Sequence, residues 1–176
     1  IYGTDAWQPA MDEYITAVVK RYKAHPAIES WQLENEALNN WFGECEGAIS
    51  RDRLLHEIEL VKQLDTEHPL IMSLSDQHGL PLGEPTPDIY GFSVYRVVYN
   101  DKGPYNFYLT YPTPIWYHRM RVKLINWIKR RPVMIHELQV EPWGPTATVN
   151  MSLEEQERSM SLEQAKENIE FARKIY

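Results

Sequence analysis

The sequence predicts an α/β fold in which helices cover a sheet of parallel strands. Helix-like and strand-like segments alternate along the chain, in the order helix, strand, helix, strand, strand, helix, strand, helix, which is typical of a parallel sheet. Three of the four strand-like runs lead into polar or charged residues, at the end where parallel α/β folds carry their sites. No glycine-rich phosphate loop follows a strand, which disfavours nucleotide binding. A doubly wound sheet and a barrel both remain open at this point.

Four helices are predicted from apolar residues that recur at helical spacing. The first begins near Trp7 and is stopped by Pro26, because proline cannot continue a helix. The second follows Ser50, a suitable N-cap, and the third begins after Pro114. The fourth follows Ser161, which is predicted to form a capping box with Gln164, three residues later.

Four short apolar runs have strand length and are bounded by turn residues, at positions 28–33, 70–74, 89–95 and 132–135. Positions 77–87 contain three Pro and two Gly, and we expect a loop there in place of a helix. A second long loop is expected after the third run, carrying Tyr99, Tyr105 and Tyr108. Because no repeat or linker interrupts the pattern, residues 1–176 are predicted to form one domain.

The composition restricts the partners and cofactors. The 176 residues carry a net charge of −7, and no basic cluster exceeds Lys129-Arg130-Arg131, which disfavours nucleic acid. No apolar run has the length of a membrane span. Cys45 is the only cysteine, and no Cys/His cluster has zinc-ligand spacing, so neither a metal nor another cofactor is predicted. Six Trp and eleven Tyr outnumber four Phe, and such rings suit sugars, which stack on flat apolar faces and hydrogen-bond to polar edges.

Two of the predicted strands lead into glutamates, Glu36 and Glu137. Glycosidic bond hydrolysis needs a carboxylic acid at the leaving oxygen and a second carboxylate at the anomeric carbon or at a water. The two residues are 101 positions apart (137 − 36). If three βα units separate them, each unit has about 34 residues, and an eight-unit barrel averages about 31 residues per unit. The spacing fits a barrel. Salt-bridged carboxylates at strand ends are the structural alternative.

Residues 31–36, Trp-Gln-Leu-Glu-Asn-Glu, resemble the fourth-strand motif of clan A glycoside hydrolases. Residues 133–139, Val-Met-Ile-His-Glu-Leu-Gln, resemble the seventh-strand motif, and the cellulase-like family 5 is the nearest match. The resemblance spans about residues 7–176 and implies a (β/α)8 TIM barrel present in part, as about strands 4–7 with helices 3, 4, 6 and 7. Strands 1–3 and 8 have no counterpart, so we expect a partial catalytic domain that is inactive or poorly stable alone.

The resemblance also implies roles for individual residues. Glu36 would be the acid/base and Glu137 the nucleophile of a retaining enzyme that hydrolyses a β-linked oligo- or polysaccharide. Asn35 would bind the sugar hydroxyl next to the reacting carbon, and Tyr95 would hydrogen-bond the nucleophile. Family 5 enzymes place His-x-Tyr after the sixth strand, whereas residues 93–95 are Ser-Val-Tyr. The exact family therefore stays open.

Several further residues are weaker candidates. Trp41 and Trp143 follow the two motifs and are candidate stacking platforms for sugar rings, with loop packing as the alternative. Gln139 is a candidate contact to a sugar hydroxyl, with plain solvent exposure as the alternative. Strand alternation is expected to turn His136 away from Glu137, which favours a structural role for the histidine.

Three tryptophans, Trp31, Trp116 and Trp127, are predicted to pack in the core or between helix and sheet. Two other functions remain open: a transglycosylase that uses the same residues, and a barrel that binds carbohydrate or acts as a scaffold without catalysis. The expected partner is a carbohydrate substrate. Oligomeric state and compartment are open, and an export signal upstream of Ile1 would make the protein secreted or surface-associated.

Overall fold

The structure is a computed structural model that describes residues 4–39, 49–74, 78–101 and 104–176. The described helices are α1 (Trp7–Tyr22), α2 (Arg51–Leu64), α3 (Ile115–Lys129), α4 (Leu153–Glu157) and α5 (Leu162–Arg173), with a 3-10 turn at Thr148–Asn150. The described strands are β1 (Trp31–Leu33), β2 (Leu70–Ser73), β3 (Ile89–Val94), β4 (Val97–Asn100), β5 (Phe107–Thr110) and β6 (Val133–Leu138). The four predicted helices are confirmed.

Four of the strands form one sheet in the order β1-β2-β3-β6. The pairs β1–β2 and β2–β3 are parallel, with Leu33 opposite Met72 and Ser73 opposite Gly91. The β3–β6 pair begins with a hydrogen bond from the Tyr90 N–H to the Pro132 carbonyl, at 3.0 Å. The predicted α/β fold with a parallel sheet is confirmed.

The chain divides into two compact units. The first comprises Ile1–Gly91 and Ile125–Met134, and the second comprises Phe92–Leu124 and Ile135–Tyr176. Each unit holds one of the two glutamates that the sequence singles out, Glu36 in the first and Glu137 in the second.

In the first unit, α1 and α2 contact each other and bury an ion-paired cluster. The Arg53 guanidinium lies 2.6 Å from a carboxylate oxygen of Glu57 and 2.7 Å from one of Asp12. It also stacks over the ring of Trp7, at 5.4 Å from the centroid. The predicted cap is present, because the Ser50 hydroxyl accepts from the Arg53 N–H at 3.1 Å.

The fourth predicted strand is longer than expected. It begins at Val133 but continues to Leu138, so His136 and Glu137 lie within β6 and not beyond its end. The ladder with β3 continues to the Gln139 N–H, which donates to the Val94 carbonyl at 3.0 Å. Backbone pairing thus extends the strand through a polar segment, although the composition of that segment predicts the end of the strand.

The prediction of a long loop after the third strand is wrong. β4 and β5 pair as an antiparallel hairpin in which Tyr99 is opposite Tyr108, and their ring centroids are 5.2 Å apart. The two strands are short and joined by residues 101–106, without the two-residue Asn-Gly type of turn that marks a hairpin in a sequence. The other predicted loop agrees with the structure over residues 78–88, which contain neither helix nor strand.

The predicted packing of Trp116 and Trp127 is also wrong, since their side chains are 64% and 77% exposed. α3 buries a different face, which includes His118 and Arg121. Both polar side chains lie against the Phe92 ring, with centroid distances of 5.8 Å for His118 and 5.1 Å for the Arg121 guanidinium. The buried face of α3 thus includes planar polar groups that stack on an aromatic ring. Among the described residues, no helix combines the length and apolarity that a membrane crossing requires.

Trp31 is held by a buried carboxylate, that of Asp65. The Asp65 oxygens accept hydrogen bonds from the Trp31 indole at 2.9 Å, from the Glu67 N–H at 3.0 Å, and from the His68 N–H at 3.2 Å. Burial raises the pKa of Asp65, but these hydrogen bonds outweigh it and hold the pKa well below the usual 3.8. The ionised carboxylate therefore stabilises the link from α2 to β2.

We expect Asp65→Ala to lower the free energy of unfolding by about 2–4 kcal/mol at pH 7, because it leaves buried donors without their charged acceptor. A carboxylate with a depressed pKa stabilises the fold above its usual pKa and loses that effect as the pH falls below it. The deficit of Asp65→Ala should therefore shrink between pH 4 and pH 2 in urea titrations. The control is Glu59→Ala, on the exposed side of α2. A deficit that is independent of pH contradicts this role.

Candidate active site

The Glu36 part of the site follows β1 in the first unit. The Glu36 N–H donates to the Ser73 hydroxyl at 2.6 Å, which attaches this turn to the end of β2. One side-chain oxygen of Glu36 accepts from the Asn39 amide at 2.9 Å. The carboxylate is half-buried and oriented, and its backbone is fixed to the neighbouring strand.

The backbone of this turn is strained. Glu34 and Glu36 have φ angles of 53° and 46°, in the left-handed region that costs a residue with a side chain about 1–2 kcal/mol. Such outliers concentrate at functional sites, where the surrounding structure enforces them. Between them, Asn35 is exposed, and its side-chain oxygen lies 3.5 Å from the Gln32 amide, at the limit of a hydrogen bond.

Within this turn the Glu34 side chain is half-buried, and it interacts electrostatically with the charged cluster of α1 and α2. Burial, followed by the charge of Glu57, raises the pKa of Glu34 above its usual value of 4.5, and Arg53 opposes the shift. Burial also raises the pKa of Glu57, which is 0% exposed. The first unit therefore holds two carboxyl groups whose pKa values are raised by burial.

The Glu137 part of the site lies in the second unit, where hydroxyl groups converge on one carboxylate oxygen. The Tyr95 hydroxyl donates to Oε2 of Glu137 at 2.9 Å, and the Ser93 hydroxyl is 3.4 Å from the same atom. Ser93 and Tyr95 are two residues apart at the end of β3, so they project on the same side. The parallel neighbour of β6 thus supplies two donors to Glu137.

His136 contacts the other oxygen of Glu137, which shows that the expected separation of these side chains is wrong. Its Nε2 lies 3.2 Å from Oε1 of Glu137, and the imidazole is buried. The contact has the length of an ion pair but lacks the alignment of a hydrogen bond.

Trp143 packs against the tyrosine that holds Glu137. Its ring meets that of Tyr95 edge-on, with centroids 5.2 Å apart and an interplanar angle of 89°. The Trp143 N–H donates to the Ser159 hydroxyl at 3.0 Å, which fixes its backbone. Its ring is half-buried, and a stacking contact to sugar stays a prediction for this residue. Trp41, the other predicted platform, lies outside the described residues.

Gln139 is placed differently from the expectation. Its side chain is 1% exposed, and its amide binds backbone groups of Arg96 and Val97. This burial leaves no surface for a sugar hydroxyl, and the solvent-exposed alternative is wrong for the same reason. Gln139 is therefore not a candidate for a substrate contact.

Four residues of these surroundings were missed or misassigned in the sequence: Asn39, Ser73, Ser93 and His136. A signal existed for the serines, since each is a small polar residue near the end of an apolar strand. Asn39 gave no signal, because its contact depends on the turn after β1. Among the residues that the structure describes, no group of three or more His, Cys, Asp and Glu side chains is arranged to hold a metal ion.

Comparison with known proteins adds a partial similarity. No family model matches the chain. It is similar to the Aspergillus terreus protein named "probable mannan endo-1,4-beta-mannosidase A-1", with 32% identity over 95 residues. The match includes 52% of this chain and 23% of the relative, so the chain spans under a quarter of that protein's length. This similarity supports a relationship to the glycoside hydrolases.

We expect Glu34→Gln to raise the melting temperature at pH 7 by about 2 °C or more. A carboxyl whose pKa is raised in the folded state destabilises the fold once the pH exceeds its usual pKa, and an amide removes that penalty. Below pH 4 the carboxyl is protonated in both states, so the gain should disappear. Calorimetry at both pH values checks this, with Glu29→Gln, an exposed carboxylate before β1, as control. An equal gain at both pH values is inconsistent with it.

Proposed function

We propose that this chain carries the catalytic carboxylates of a retaining β-glycosidase, with Glu137 as nucleophile and Glu36 as acid/base. The observation that supports this most strongly is the 2.9 Å hydrogen bond from the Tyr95 hydroxyl to Glu137, within a parallel sheet. The proposal places the sheet in a (β/α)8 barrel, of which these strands are a part. In a retaining enzyme the two carboxyl groups lie about 5–5.5 Å apart.

The surroundings of Glu137 suit a nucleophile. A nucleophilic carboxylate must be ionised, and hydrogen bonds donated to its oxygens favour that form. Tyr95 and Ser93 supply such donors, and both act on Oε2. In the first step a Glu137 oxygen bonds to the anomeric carbon as the glycosidic C–O bond breaks, which forms a covalent glycosyl-enzyme.

Glu36 has the complementary role. It donates its proton to the departing oxygen in the first step and removes a proton from the attacking water in the second. A group that exchanges a proton in each step must keep a fixed position, and Asn39 and Ser73 provide it for the side chain and the backbone. The water cleaves the bond to Glu137 and releases a sugar with its original anomeric configuration.

The proposed substrate is a β-1,4-linked polysaccharide of the mannan class. The similarity to a mannan endo-1,4-beta-mannosidase over about half of the chain supports this choice. Asn35 is exposed next to Glu36 and would bind the sugar hydroxyl beside the reacting carbon. Trp143, together with Trp41, would stack on sugar rings, because their faces are apolar and their indole N–H groups are polar.

We expect Glu137→Ala in the full-length protein to lower kcat on a β-mannoside by about a thousandfold or more. Added azide should then attack the anomeric carbon from the emptied side and give an α-configured glycosyl azide. Product analysis by NMR and mass spectrometry tests both points. The control is Glu141→Ala, an exposed carboxylate just after β6, which should keep its activity. Near-normal turnover of Glu137→Ala would exclude Glu137 as the nucleophile.

We expect Glu36→Ala to affect substrates according to their leaving groups. A leaving oxygen of high pKa needs the proton and should react about 10²–10⁴-fold more slowly, whereas dinitrophenolate departs without it. Steady-state rates on a series of aryl β-glycosides give the dependence on leaving-group pKa. A uniform loss along the series argues against the acid/base assignment.

A further inference from the structure

Gln139 is a buried amide two residues beyond Glu137, and its side chain binds a single backbone segment. Its Oε1 accepts from the Arg96 N–H at 2.8 Å and from the Val97 N–H at 3.0 Å. Its Nε2 donates to the Val97 carbonyl at 2.6 Å. Three short hydrogen bonds from one side chain fix the entry to the β4–β5 hairpin.

The main chain of Gln139 is held as firmly as its side chain. Its N–H donates to the Val94 carbonyl at 3.0 Å, and its carbonyl accepts from the Asn168 amide of α5 at 2.8 Å. Asn168 is itself buried. Gln139 is therefore a fixed point to which the end of β3, the hairpin and α5 are all attached.

Tyr95 is the one residue that lies between the two backbone segments bound by Gln139. Its neighbour Val94 is bound through the main chain of Gln139, and its neighbour Arg96 through the side chain. We propose that Gln139 is a positioning residue that holds the Tyr95 backbone so that its hydroxyl meets Glu137. This inference rests on the proposed function and assigns how the donor to the nucleophile is kept in place.

A tyrosine hydroxyl needs such a restraint, because it lies at the far end of a long, rigid side chain. A small tilt of the backbone moves the hydroxyl by more than the few tenths of an ångström that a hydrogen bond tolerates. Without the three bonds from Gln139, Arg96 and Val97 would keep their contacts to β5 and α5 but lose their attachment to β6. The Tyr95 hydroxyl could then shift relative to Glu137. The nucleophile would then lose a donor that favours its ionised form.

The test uses Gln139→Met, Tyr95→Phe and the double variant in the full-length protein. Methionine keeps the length and approximate volume of Gln139 but makes none of its hydrogen bonds. We expect Gln139→Met to lower kcat/KM about tenfold and to move the acid limb of its pH profile upward, and we expect the same shift for Tyr95→Phe. In the Tyr95→Phe background, Gln139→Met should change kcat/KM by less than about twofold, because the two act through the same contact.

The matched control is Gln156→Met. The Gln156 amide also binds backbone carbonyls of the second unit, those of Thr148 and Met151 at 3.2 and 3.1 Å. It should lower the melting temperature without moving the pH profile. Among the described residues, the titratable groups that contact the Glu137 carboxylate are Tyr95 and His136, and Gln139→Met keeps both. A shift of the acid limb in Gln139→Met alone therefore reports the position of Tyr95.

Additive losses in the double variant, or an acid limb that Gln139→Met leaves unmoved, would overturn the positioning role. If Gln139→Met does not fold, amide hydrogen exchange is measured on the unaltered protein. The Arg96 and Val97 amides should be as protected as those of β3, and fast exchange of these amides would contradict the restraint by Gln139. Failure of the inference is distinct from failure of the proposed function. If azide rescues Glu137→Ala as expected but the acid limb of Gln139→Met does not move, the enzyme has the proposed chemistry and Gln139 has no positioning role.

Discussion

The hydrogen-bond ladder between β3 and β6 is the interaction on which the Glu137 surroundings depend. Because the strands run parallel, their carboxyl ends lie together, and Ser93 and Tyr95 on one meet Glu137 on the other. The ladder continues to Gln139, whose main chain binds Val94 just before the tyrosine. Glu137 and its hydroxyl donors thus come from two segments that are more than forty positions apart in sequence yet are placed by backbone pairing.

The turn after β1 holds the Glu36 carboxylate in place through different contacts. Glu34 and Glu36 adopt left-handed backbone angles, so the turn is strained, and a hydrogen bond from the Glu36 N–H to Ser73 holds it in place. Burial, followed by the charge of Glu57, raises the pKa of Glu34, and burial raises that of Glu57. Backbone strain and the burial of ionisable groups both lower stability, and such costs are typical of functional sites.

The sequence was sufficient for features that depend on local chemistry. Helical spacing and Ser161 as a cap predicted α5, and alternation of elements predicted the parallel sheet. It was insufficient where a long-range contact decides the outcome. Gln139 looked like a polar residue available to a substrate, but three backbone groups of a distant segment bury it. Trp127 looked like a core residue, but α3 packs through another face. The substrate-facing roles of Asn35 and Trp143 remain predictions.

The identity of the nucleophile is tested most directly by trapping the glycosyl-enzyme in the full-length protein. A 2-deoxy-2-fluoro-β-mannosyl fluoride, with the corresponding glucosyl compound beside it, slows both steps while its good leaving group keeps the first one accessible. Mass spectrometry of the digested protein then locates the sugar. The proposed mechanism requires the label on Glu137, in the peptide that contains β6. A label on Glu36, or on any other residue, would contradict it.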